Sequence, residues 1–232
     1  MSARPTLFFS FRSPFSWLLV ERLRRHVADA HERIEFVPFW EPDPRMAAAL
    51  AERDAGLHYV PMSKAKHLYI LQDTKRLAGR LGLEMAWPID VDPWWELSHC
   101  GWLQARRFGR TSAFYEAVVA ARWQRGENIC DPDVIGAAAR SAGLDPEAIV
   151  AAAEDPEIRA DGLECLVRAF EDDIFGVPYL RLGWQRFWGF DRLDDFLRAF
   201  GDGARAERPA EVPDSVASLV GAYDTDTAGG CG

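Results

Sequence analysis

The sequence predicts an α/β protein in which one mixed sheet is interrupted by a large all-helical insertion. Three observations lead to that class. Strand, helix and strand character alternate over residues 6–40. Helical periodicity then dominates from about Arg45 to Asp172. Strand character returns only at residues 177–189 and is followed by one more helix.

The first element, "TLFFSF" (6–11), has the apolar and aromatic content of a buried strand. "PFSWLLVERLRRHVADA" then runs as a helix, with Ser13 in the capping position and Pro14 at the first helical position, both favoured there. "RIEFVPFW" (33–40) is the second strand, stopped by "EPDP". A strand–helix–strand unit of this length predicts a parallel pair. In the helical block, "SKAKHLYILQDTKRLAGRLG" carries Leu68, Leu71, Leu77 and Leu81 at helical spacing, and Gly82 stops it. "LSHCGWLQARRFG", "TSAFYEAVVAARWQRG", "PDVIGAAARSAGL", "PEAIVAAAE" and "IRADGLECLVRAFEDD" continue the series, each punctuated by Gly, Pro or Asp. "WPIDVDPWWE" is a Trp- and Pro-rich loop among them. "VPYLRL" (177–182) and "WQRFWG" (184–189) read as a hairpin about Gly183. "DRLDDFLRAF" is the last helix, with Asp191 at its start. The stretch after Gly201 is rich in Ala, Asp, Gly and Pro and is read as a disordered tail. All four strands share one sheet only if the late hairpin joins the early pair.

Composition excludes several functions. The chain has 232 residues and a net charge of −9, which leaves no electrostatic footprint for nucleic acid or an anionic membrane. No apolar run approaches the roughly 20 residues that a membrane helix needs. "MSARPTLFF" has no signal-peptide apolar stretch. Cys100, Cys130, Cys165 and Cys231 form no CxxC and no metal-ligand spacing, and the five histidines form no HxH or HExxH. The expectation is a reduced, cytoplasmic protein without a metal.

The stretch "FRSPFSWLL" raises a chemical question, because Ser13 and Ser16 flank a proline at a helix start. Ser13 reads in two ways. It is a good N-cap in its own right. It also stands at the positive end of a helix, where free N–H groups and the helix dipole stabilise an anion. Ser16, one turn in, is read as structural.

Four stretches, in order, resemble one family. They are "FFSFRSPFSWL", "SKAKHLYILQDTKRLAGRLGL", "ARWQRGENICDPDVIGAAARSAGLD" and "FGVPYLRLGWQRFWGFDRLDDF". Together they resemble the kappa-class glutathione transferase and 2-hydroxychromene-2-carboxylate isomerase family, whose fold is thioredoxin-like with a DsbA-type helical insertion. The resemblance covers residues 6–200. It implies a discontinuous thioredoxin-like domain over 1–42 and 173–202, an insertion domain over 43–172, and a tail over 203–232.

It also implies a site. Where redox relatives hold a protein thiolate at the helix start, Ser13 would donate its hydroxyl to the thiolate of bound glutathione. Pro178 would be cis and face that helix start, and the Val177 backbone would pair with the cysteinyl part of glutathione like a short added strand. Phe190 and Asp191 would meet the γ-glutamyl group, the carboxylate matching its ammonium. Lys66 would lie near the glycyl end. Tyr69 and Asp73 are read as scaffold. The chain departs from the family in places. Ser10 stands where the first strand usually has Asp, Asn128 is the only asparagine, and "WWELSHCGW" does not match the usual substrate loop. His58 or a backbone group is expected to stand in for the absent Asn.

The resemblance therefore implies a glutathione-dependent isomerase, most like 2-hydroxychromene-2-carboxylate isomerase, acting as a homodimer on a small aromatic or polyene 2-oxo acid or enone. A glutathione transferase that keeps the adduct is the alternative, and a non-catalytic binding protein on the same fold is a further one. Protein thiol–disulfide exchange is disfavoured, because both cysteine positions of the motif are serine. Trp17, Trp87, Trp94, Trp95 and Trp102 either line an apolar substrate pocket or pack in the core.

Overall fold

Five helices open on the same device, a short polar side chain followed directly by proline. In the computed structural model, which describes residues 4–58 and 62–201, Ser13 caps α1 (Pro14–His26), Asp43 caps α3 (Pro44–Ala51), and Asp131, Asp145 and Asp155 cap α7 (Pro132–Ser141), α8 (Pro146–Ala151) and α9 (Pro156–Glu171). In each, the side-chain oxygen accepts a first-turn N–H and the proline occupies a position whose N–H would have been orphaned. The remaining helices are α2 (Ala30–Arg33), α4 (Lys64–Arg80), α5 (Glu96–Arg107), α6 (Thr111–Val119) and α10 (Leu193–Gly201). Helix α6 runs straight into a π-helical turn at Ala120–Gln124, and a 3-10 turn at Phe190–Arg192 leads into α10. The expected tail over 203–232, Cys231 included, lies outside the described residues.

The sheet has four strands: β1 (Thr6–Phe9), β2 (Glu35–Pro38), β3 (Tyr179–Leu182) and β4 (Gln185–Trp188), in the order β2-β1-β3-β4. Strand β1 pairs parallel with β2, Leu7 opposite Phe36, and antiparallel with β3, Leu7 opposite Leu180. The late hairpin thus joins the early pair, and Gly183 turns it at φ +60°. All four β1 residues are buried, as expected of a strand paired on both edges. All the helices from α3 to α9 lie between β2 and β3 in sequence.

Aromatic packing joins that helical block to the sheet. The Phe9 ring meets Phe36 of β2, Trp102 of α5 and Tyr115 of α6 edge-on, at centroid distances of 5.8, 5.3 and 5.5 Å. Arg168 of α9 forks onto Glu35 at 2.7 and 2.9 Å and reaches Thr6 at 3.0 Å. The same α9 presses against the end of β2. A methyl on Gly162 would come within 3.0 Å of Trp40 Cη2, and Trp40 is itself buried.

Two glycine substitutions test that contact. Gly162→Ala is expected to lower stability by about 1–2 kcal/mol, overpacking against Trp40 outweighing the helix-propensity gain. Gly79→Ala on α4, where a methyl meets nothing within 4 Å, is expected to raise stability by about 0.5–1 kcal/mol. Urea unfolding of the two variants beside the parent checks both signs.

Candidate functional site

The turn between β1 and α1 uses its polar groups closely. Ser13 N–H donates to Ser10 O at 3.1 Å, and Ser13 Oγ accepts from Ser16 N–H at 3.2 Å. Trp17 N–H reaches Ser13 O at 3.3 Å, and Pro14 has no N–H. Phe15 N–H is thereby left as the first-turn donor without a partner among the described residues. Ser13 Oγ also donates to Val177 O across 3.3 Å, from a residue 164 positions away. That length is at the weak end for a hydroxyl donor, so the hydrogen is free to turn toward a better acceptor.

Val177–Pro178 is a cis peptide. Pro178 O accepts from Gly189 N–H at 3.0 Å, and Gly189, at φ +96°, leads into the Phe190–Arg192 turn. Four of the predicted residues, Ser13, Val177, Pro178 and Phe190, therefore stand on one bonded path, with Asp191 next in the chain. Beside it is a cleft of about 350 Å³, lined by Phe15, Arg22, Asp73, Leu77, Arg80, Phe190, Asp191 and Asp194. Arg22 pairs with Asp194 and lies over the Phe190 ring at 5.4 Å, which ties α1 to α10. Asp73 pairs with Arg76 at 2.9 Å. Arg80 and Asp191 have no ion pair among the described residues, so one cation and one carboxylate are available to a ligand in the cleft.

Lys66 does not line the cleft. It is exposed on α4, seven residues before Asp73 and fourteen before Arg80. That spacing puts the three on one stripe of the helix, with Lys66 about 10 Å along the axis from Asp73. His58 does not stand near the cleft residues: it stacks on Phe170 at 4.7 Å and its Nε2 lies 3.2 Å from Phe170 O. Of the five tryptophans considered, Trp17, Trp95 and Trp102 are buried in the core. Asp73, read as scaffold, lines the cleft. Arg80 was missed, because it carries no local signal in the sequence; it joins Asp191 only as a lining residue of the same cleft.

His99 was also missed. It is fully buried on α5 and reaches back to the turn. Its Nε2 accepts from Phe11 N–H at 3.2 Å and lies 3.3 Å from Ser10 Oγ, while its Nδ1 lies 2.7 Å from Trp95 O. Ser10 Oγ accepts from Arg12 N–H, and Ser10 N–H donates to Ser16 Oγ. The ring stacks on Trp40 at 5.0 Å. Burial pushes its pKa down to about 3, and the Arg122 charge acts in the same direction.

The π-helical turn supplies the neighbouring charge. It places Arg122, buried, between the rings of Trp95 and Trp123 at 4.9 and 4.7 Å. Both guanidinium NH₂ groups fork onto Asp90 at 2.8 Å. Arg12, adjacent to Ser13, lies 5.8 Å from the Trp95 ring centre. Trp123 in turn stacks on Trp17 of α1 at 6.2 Å.

The thiols among the described residues are poor nucleophiles. Burial pushes Cys100 up to about 12, and Cys130 and Cys165 up to about 11. At neutral pH such thiols hold almost no thiolate. Among the described residues no group of three His, Cys, Asp or Glu is placed to hold a metal ion.

Comparison with known proteins places the fold among its relatives. A profile of the DSBA-like thioredoxin domain matches residues 6–201. The chain is 26% identical over 198 residues to a 2-hydroxychromene-2-carboxylate isomerase of Sphingobium xenophagum, covering 83% of this chain and 95% of that one. Its fold is similar to a solved 2-hydroxychromene-2-carboxylate isomerase, with a TM-score of 0.69 at 24% identity over 87% of this chain and 96% of that one. It is also similar to a cytosolic disulfide reductase of Pseudomonas aeruginosa solved with GSH, with a TM-score of 0.57 at 12% identity over 87% and 99%.

The buried imidazoles carry a pH prediction. His31, stacked on Phe36 at 4.0 Å with both ring nitrogens unpartnered, is pushed down to about 4 by burial and then by Arg24. In the unfolded chain both rings protonate below about 6.5, whereas in the folded chain they stay neutral. Stability is therefore expected to fall as pH drops from 6.5 to about 4, each ring removing roughly 1–1.5 kcal/mol per pH unit. His31→Phe should make that fall shallower by one ring's share. Urea unfolding at stepped pH measures both slopes.

Proposed function

The chain belongs to the DSBA-like thioredoxin family, and from that premise we propose that it is a glutathione-dependent isomerase of a small conjugated 2-oxo acid or enone. The observation that carries the reading is the helix start itself. It offers a hydroxyl and a free N–H where a thiolate would sit, yet Ser13 and Ser16 hold no sulfur and the described cysteines, Cys100 and Cys165 buried and Cys130 partly so, all have raised pKa values. A helix start suited to a thiolate, in a chain whose described thiols are elsewhere, calls for one from outside. The isomerase relatives support the class of reaction.

Glutathione fits the residues present. Its γ-glutamyl end carries an ammonium and a carboxylate. Asp191 and Arg80 are the cleft's carboxylate and cation without ion pairs among the described residues, and both line it. The Val177 backbone, turned to the helix start by the Ser13 bond, would pair with the cysteinyl unit. Lys66, further along the α4 stripe, would meet the glycyl carboxylate. Bound there, glutathione supplies a nucleophilic thiolate that adds reversibly to a conjugated double bond and so lets it rotate.

The chain's own residues do the rest. Ser13 Oγ–H, now on Val177 O, would be the hydroxyl donor to the sulfur, and the Phe15 N–H and α1 dipole would favour its thiolate form. Ser16 N–H keeps Ser13 Oγ in place while its hydrogen is donated elsewhere. Phe15, Leu77 and Phe190 give the cleft its apolar lining, with the exposed Asp191 and Arg80 at its edge.

Ser13→Ala is expected to lower turnover roughly 10²-fold, as loss of one anion-stabilising donor does, and to raise the pKa of bound glutathione. The lost cap should cost only about 1 kcal/mol. Ultraviolet thiolate absorbance of the glutathione complex across pH measures the shift, and an unmoved titration would overturn the role. Arg80→Gln and Asp191→Asn should each weaken glutathione binding about tenfold by calorimetry. Product analysis with one enone decides between a returned isomer and a retained adduct.

A further inference from the structure

Resting on the thiol-binding reading above, we propose that His99 is a positioning residue for the helix start. As the neutral ring with its hydrogen on Nδ1, it holds the Ser10–Ser13 turn where the Ser13 hydroxyl and the Phe15 N–H converge.

The tautomer follows from the partners. Trp95 O is an acceptor, so Nδ1, at 2.7 Å from it, carries the hydrogen. Phe11 N–H is a donor, so Nε2, at 3.2 Å, is the bare nitrogen. Ser10 Oγ already accepts from Arg12 N–H, which leaves its own hydrogen to point at the same Nε2. A hydrogen on Nε2 would face the Phe11 N–H directly. One lone pair thus gathers two donors from consecutive residues of the turn.

That turn feeds the site at two points. Ser10 N–H bonds Ser16 Oγ and Ser10 O takes Ser13 N–H, so a shift of Ser10 moves both serines of α1. The ring cannot drift, because Trp40 stacks on it and Phe11 packs at 5.2 Å. Phe11 is buried, so its N–H has no water to turn to if the imidazole is lost. A hydrocarbon of the same volume would fill the space and leave that donor stranded. Arg122 is the charged group acting on the ring, and both its guanidinium NH₂ groups are engaged by Asp90.

Three variants test this. His99→Gln can set an amide oxygen near the Nε2 position, whereas His99→Asn is too short and His99→Leu has no acceptor. Asn and Leu are expected to raise the pKa of bound glutathione by about one unit and to lower kcat about 10²-fold with KM less affected. Gln should stay within about threefold of the parent on both counts. Hydrogen exchange of the Phe11 and Ser13 amides gives a readout that needs no thiol, and it should quicken in Asn and Leu but not in Gln. If Leu fails to fold, the Gln–Asn contrast still decides. Equal behaviour of Gln and Asn, or unchanged exchange in both Asn and Leu, overturns the proposal. If the parent binds no glutathione, the thiol reading fails, and the exchange data still settle whether His99 holds the turn.

Discussion

Strand β1 is paired on both edges, and that double pairing is what brings the two halves of the site together. Its parallel partner β2 follows within thirty residues, as any strand–helix–strand unit would provide. Its antiparallel partner β3 comes from beyond the whole helical block, with Thr6 opposite Arg181. The register puts the end of β1 beside the start of β3, so that Ser13 meets Val177 and the Phe190 turn follows one hairpin later. A slip of one residue would turn each buried β1 side chain to the opposite face, and Phe9 would lose Trp102 and Tyr115.

Around that frame the polar groups divide into two kinds. Some are spent within the protein. Arg168 on Glu35 and Arg122 on Asp90 are matched in forked geometry, and Arg159 of α9 sets one nitrogen on both oxygens of Asp43; all three pairs are partly or wholly buried. Others are unused: the Phe15 N–H, Arg80 and Asp191 have no hydrogen bond or ion pair among the described residues, and all three belong to residues lining one cleft. Buried polar groups normally find partners, and exposed ones find water. A set of unused groups of complementary charge in one concave place is what an extended zwitterionic ligand requires.

Much of this was legible in the chain because its signals are local. Ser13-Pro14 and the Asp-Pro pairs mark helix starts by capping and by the missing proline N–H, both properties of adjacent residues. Gly183 marks a hairpin because its conformation suits glycine. The π-helical turn was not legible: "AVVAARWQRG" keeps helical spacing, and the widening shows only in which carbonyl each N–H chooses. His99 has no local mark either, since its partners lie 88 and 89 positions away. His58, named with a backbone group as a stand-in for the absent Asn, stacks on Phe170 of α9, and Lys66 stands on α4 outside the residues that line the cleft. Both depended on distances that spacing along one helix or loop does not contain.

The bond from Ser13 to Val177 spans 164 residues. During synthesis α1 leaves the ribosome long before the stretch it must face has been translated. For most of that interval the helix start exists without its opposing carbonyl. The bond between the helix start and Val177 can therefore form only after that stretch has emerged and the late hairpin has docked on β1, so the two halves are joined late in folding.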